Sequence, residues 1–90
     1  MPRYFFDIVD GEDLPDEHGS EHADLIAARH EAIRYSGEVL REMPDRFWNS
    51  EEWKMTVSDA KRLPLFELKF IATPLTAPST PIRSLADASE

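Results

Sequence analysis

One stretch, Asp24 to Met43 (DLIAARHEAIRYSGEVLREM), is the only long run in this chain with helical periodicity, and it decides what the other segments must do. Leu25, Ala28, Ala32, Val39 and Met43 recur at helical spacing, with Ile33, Ser36 and Leu40 at the margins of the stripe. Asp24 suits the N-cap, because its carboxylate can accept from the first free N–H groups. Arg41 falls in the last turn, where the helix dipole favours a cation, and Pro44 stops the helix. Gly37 costs about 1 kcal/mol against alanine in a helix interior. A single amphipathic helix needs an apolar surface to cover, and the flanking segments supply it.

Arg3 to Val9 alternates as a strand, with Tyr4, Phe6 and Ile8 on one side and Arg3, Phe5, Asp7 and Val9 on the other. Asp10-Gly11 then marks a turn. Residues 10–24 carry many acids and no Lys or Arg, which reads as an exposed connection with a very short strand near Leu14 to Glu17, before a turn at Gly19. After the helix, residues 44–52 read as a loop from which Phe47 and Trp48 fold back to plug the core. Trp53 to Asp59 and Leu65 to Ile71 alternate again, joined by a turn around Ala60 to Arg62, and form a hairpin. Trp53, Met55, Val57, Phe66, Leu68 and Phe70 point inward, and Pro64 suits an edge strand or a strand start. Burying each such side chain contributes roughly 1.5–3 kcal/mol before entropy is subtracted.

The expected fold is therefore α+β: one long helix on one face of a small, mainly antiparallel sheet of three to four strands, spanning residues 1–72. Residues 73–90 are rich in Pro, Thr and Ser and read as a disordered tail. There is no internal repeat.

Composition narrows the function. Ten basic against eighteen acidic residues give a formal charge of −8, a sign that repels phosphates and anionic membranes; neither nucleic acid nor membrane is an expected partner. The absence of cysteine excludes disulfides, thiolate zinc sites and cysteine nucleophiles. No stretch has the apolar run of a signal peptide or a membrane span, so a cytoplasmic protein is expected.

Asp10, Glu12, Asp13, Asp16 and Glu17 are oxygen-rich enough to suggest a site for a hard cation, with Asp10, Asp13 and Asp16 the candidate ligands. The EF-hand order is missing, and solvated turn residues are the simpler reading. His18 and His22 have the spacing of a zinc pair on a helix, but Gly19 and the Asp24 cap break that helix, and His30 adds no placed third ligand. Arg3 and Asp7 share a strand face and read as a surface ion pair. No phosphate loop, nucleophile elbow or Ser/His/Asp arrangement is visible, so no catalytic residue, cofactor or enzyme activity is expected. The outward residues Phe5, Val9, Leu65 and Ile71 are the candidate interaction surface, for an unknown protein partner or for a homodimer.

MPRYFFDIVDG, the later Asp16-x-x-Gly19, the helical Ala28-Arg29-His30-Glu31-Ala32, and Trp53, Val57 and Asp59 together resemble a bacterial family of small uncharacterised proteins. The resemblance spans about residues 1–71 and implies no activity, since that family has none assigned. Where the resemblance leads one to expect glycine in the last turn, this chain has Ala60-Lys61-Arg62, which leaves the turn type open. In its order of elements the chain also resembles HicB-type antitoxins, which would imply a regulator that occupies a toxin. The leading expectation is a small interaction or self-associating module, with the antitoxin-like regulator second and the metal-binding loop third.

Overall fold

Strand β1 (Arg3–Val9) runs through the middle of the sheet in the computed structural model, which describes residues 1–75. On one side it pairs antiparallel with two short strands, β2 (Asp13–Leu14) and β3 (Ser20–Glu21), and on the other with β4 (Glu52–Ser58). β4 in turn pairs with β5 (Pro64–Ile71), so the strand order is β2-β1-β4-β5 with β3 beside the start of β1. The α+β class expected from the sequence is the class found. The acidic connection holds two short strands rather than one near residues 14–17, which makes the sheet five-stranded.

Helix α1 (Leu25–Glu42) begins at the expected cap: the Asp24 carboxylate accepts the Ala27 N–H at 2.9 Å. Arg41 lies in its last turn. Ala28, Ala32 and Ser36 are buried against the sheet, and Tyr35, Val39 and Leu40 pack at the margins. Leu25 and Met43, expected inside, are 42% and 43% exposed, since they stand at the first residue of α1 and at its C-cap. Tyr4, Phe6, Ile8, Trp53, Met55 and Val57 complete the core. These are the inward sets of β1 and β4, in the alternation the sequence displays.

Residues 44–50 form a helix, α2 (Pro44–Ser50), and not the expected loop. Pro44 ends α1, yet its fixed φ suits the first position of a new helix, and Asp45 lies in that first turn. A helix of seven residues is too short to display a clear period. Phe47 plugs the core as expected, whereas Trp48, expected beside it, is 61% exposed. The inward side of β5 is only partly covered: Phe66 and Leu68 are half-buried and Phe70 is 51% exposed. β5 is the last strand of the sheet, so only part of the cover that β4 receives reaches it. The tail assigned to residues 73–90 lies mostly outside the described residues.

Candidate functional site

The acidic connection is a structural device. β2 leaves β1 after pairing Ile8 with Leu14, and β3 rejoins it at Arg3 and Tyr4, so Phe6 has no strand beside it on that edge. Asp16 fills the gap: one carboxylate oxygen accepts the Phe6 N–H at 3.1 Å, and the other accepts from Gly19 at 2.9 Å and His18 at 3.3 Å. Gly19 has φ +70, and a Cβ there would stand 2.7 Å from the Tyr4 carbonyl oxygen, so glycine is required. The Asp16-x-x-Gly19 motif thus mimics the missing strand.

Two arginines tie this layer down. Arg62, at φ 68 in the β4–β5 turn, reaches Asp7 at 3.2 Å and the Asp16 carbonyl at 2.8 Å, with its guanidinium 3.8 Å above the Phe5 ring. The turn itself is closed by the Asp59 carboxylate, which accepts from Lys61 and Leu63, both at 2.9 Å. The expected Arg3–Asp7 pair is therefore replaced: Arg3 pairs with Glu21 at 3.3 Å, and Asp7 is claimed by Arg62 and by the Asp16 N–H at 2.7 Å. Because Arg62 occupies a left-handed position, Arg62→Gly is expected to retain about 1 kcal/mol more stability than Arg62→Ala, although both lose the clasp; urea unfolding of the two variants measures the difference.

Arg46 on α2 grips the first turn. It donates to both Asp10 carboxylate oxygens, at 2.8 and 3.0 Å, and reaches Glu12 at 3.3 Å. The Arg46 hydrogen bond holds the buried Asp10 carboxyl below the usual carboxylate range. Of the candidate metal ligands, Asp10 is thus neutralised by a guanidinium, Asp16 is spent on backbone N–H groups, and Asp13 is exposed on β2. They do not converge, and no cluster of three such ligands occurs among the described residues. His22 packs edge-on against Phe6, 5.6 Å between ring centroids, and its Nε2 lies 2.8 Å from the Ser20 hydroxyl. The His18 carbonyl accepts from Arg3, and His30 is exposed. A hollow of about 380 Å³ lies between the 14–18 segment and α1, lined by Phe6, Ile8, Leu14, Asp16, Tyr35 and Val39 among others.

The four expected surface residues do not form one strip. Phe5 stands in the row of Ser58 and lies under Arg62, while Val9 stands in the row of Lys54 and Lys69. The row Asp7, Thr56 and Glu67 separates them. A bulge between Val57 and Ser58 also disturbs the alternation at Leu65, which lines a hollow with Tyr4 and Leu25. Ile71 remains exposed at the far end of β5.

What the sequence reading missed is the free edge of β5. The register pairs Trp53 with Phe70 and Met55 with Leu68, and the Ala72 N–H donates to the Glu51 carbonyl at 3.1 Å in the same register. Bonded and non-bonded pairs alternate along an antiparallel ladder, so Phe66, Leu68, Phe70 and Ala72 spend their backbone groups on β4. The N–H and C=O groups of Glu67, Lys69 and Ile71 consequently point away from the sheet. Beside them stand Phe70 and Trp48, both in contact with Phe47, at ring-centroid distances of 5.0 and 5.2 Å. Knowing that β5 is terminal requires the strand order, which alternation alone does not carry.

Among the described residues, these features define a small α+β domain in which one long helix covers part of an antiparallel sheet and one edge strand is left open. The chain belongs to the family described as "Domain of unknown function (DUF6894)", whose family model matches residues 3–71. No curated protein and no solved structure matches the chain. Among the described residues, no helix is long and apolar enough to cross a membrane.

Proposed function

We propose that the domain is a small protein-interaction module without catalysis, and that it engages its partner along the free edge of β5. One observation carries this reading: among the described residues, an eight-residue edge strand keeps a row of backbone groups unpaired beside large exposed apolar side chains. Trp48, Phe70 and Ile71 are 61%, 51% and 57% exposed. Proteins usually blunt such an edge, since it is a template for another strand. Here Pro64 blunts only the strand start, and Lys69 is the one basic residue along its length. Adding a strand to an open edge supplies affinity through main-chain hydrogen bonds and specificity through flanking side chains.

A photo-crosslinking residue placed at Ile71 in the native cell, with one at exposed Arg29 of α1 as control, tests the reading. Covalent adducts are expected from position 71 and not from 29. An adduct of twice the chain mass identifies self-association, and one with a different polypeptide identifies a regulated partner, the form an antitoxin-like role would take. No adduct at position 71 removes the proposal.

A further inference from the structure

The β5 sequence reads nearly the same in both directions about Leu68: Leu65-Phe66-Glu67-Leu68-Lys69-Phe70-Ile71. Phe66 mirrors Phe70, Leu65 mirrors Ile71, and Glu67 mirrors a residue of opposite charge, Lys69. We propose that the occupant of the free edge is a second copy of this chain, paired antiparallel through β5 with Leu68 opposite Leu68 of the partner subunit. The inference deepens the interaction reading above and rests on it.

Backbone geometry restricts the register. Only Glu67, Lys69 and Ile71 present edge-facing N–H and C=O groups, so a hydrogen-bonded pair must join two of these odd-numbered positions or their neighbour in the same phase. Centring the pair on Glu67 would set Glu67 against itself, and centring it on Lys69 would set two lysines together; like charges directly opposite one another destabilise a sheet. Centring it on Leu68 sets Glu67 opposite Lys69 twice, once on each side of the dyad. These positions are the ones whose backbone groups are free to bond.

Each protomer also leaves features that this pairing completes. Lys69 lies directly across from Lys54 on the outer face, while Lys54 takes Glu67 at 3.6 Å, so Lys69 has no acidic partner among the described residues. A facing Glu67 supplies one. On the inner face, half-buried Phe66 and Leu68 and exposed Phe70 would meet their mirror images across the dyad. A dyad perpendicular to the sheet places both α1 helices on the same side, so the new apolar row lies between two helices in one continuous antiparallel sheet.

The test is a charge exchange on the full chain, read by sedimentation equilibrium and by amide exchange. The wild type is expected at twice the monomer mass, with the Glu67, Lys69 and Ile71 amides protected and losing protection on dilution. Glu67→Lys and Lys69→Glu should each weaken the dimer roughly tenfold or more in Kd, since two attractive pairs become repulsive. The double variant should recover it. Mixing the two single variants should also restore a dimer, an outcome that a misfolded variant cannot produce. A dimer indifferent to these exchanges, or one whose edge amides exchange freely, overturns the proposal. So does a purified chain that stays monomeric at high concentration; if position 71 then crosslinks to another polypeptide in cells, the interaction reading survives. A monomer with no adduct sinks both.

Discussion

Asp16→Ala is expected to lower the unfolding free energy by about 3 kcal/mol, more than a half-exposed turn residue ordinarily would. The carboxylate accepts three N–H groups, and one of them belongs to Phe6 in the central strand. Alanine leaves that N–H facing the gap between β2 and β3 with no acceptor, and it frees the Gly19 turn that Asp16 closes. Asp16→Asn separates the two effects. Its remaining carbonyl oxygen can still serve His18 and Gly19, whereas the amide nitrogen would turn a donor toward the Phe6 N–H. The asparagine variant should therefore fall between alanine and wild type. Urea titration with an unchanged m-value would confirm the order. Equal stability of all three proteins would show that water replaces the carboxylate at no cost.

Asp16 also marks where sequence reasoning reached and where it stopped. Strands β1 and β4 were legible because each alternates over seven residues against a buried face, and β5 because Phe66 to Phe70 alternates in sequence. Helix α1 was legible for a similar reason, its period being long and its N-cap a carboxylate in the right place. The short elements were not: two residues of β3 carry no period, and Pro44 signals the end of one helix as readily as the start of another. The acidic loop reads as solvated because its partners are far away in sequence. Arg46 and Arg62 lie 36 and 55 residues from Asp10 and Asp7, and nothing local announces those pairings. A signal was nevertheless present in Asp16-x-x-Gly19, since an aspartate three residues before a left-handed glycine is the pattern of a side chain closing a turn. The free edge was hidden for a different reason. Alternation says which residues face the core, while strand order says which strand is last, and only the second exposes the near-palindrome of β5 to a partner.

Arg46→Met is expected to weaken the domain and to reverse the sign of the contribution Asp10 makes to its acid response. In the wild type the folded Asp10 carboxyl titrates below its ordinary value of 3.8, chiefly because of the hydrogen bond from Arg46. A depressed folded pKa contributes stability that is fully present above the unfolded value, and that contribution is lost as the pH falls through the folded one. The Asp10 side chain is 1% exposed with Arg46 in place, and the methionine covers it without supplying a cation, so desolvation then pushes its pKa upward. The variant should lose roughly 5 °C or more in Tm near neutral pH. It should recover part of that loss as the pH is lowered and Asp10 takes up a proton, while the wild type is moving the other way. Arg46→Met/Asp10→Asn removes the stranded charge, and should be more stable than the single variant at pH 7 with a flatter profile. Thermal melts of the three proteins between pH 3 and pH 7 decide the matter. A single variant that simply runs parallel to the wild type would show that Asp10 reaches solvent once Arg46 is gone, and that the first turn is held to α2 by packing alone.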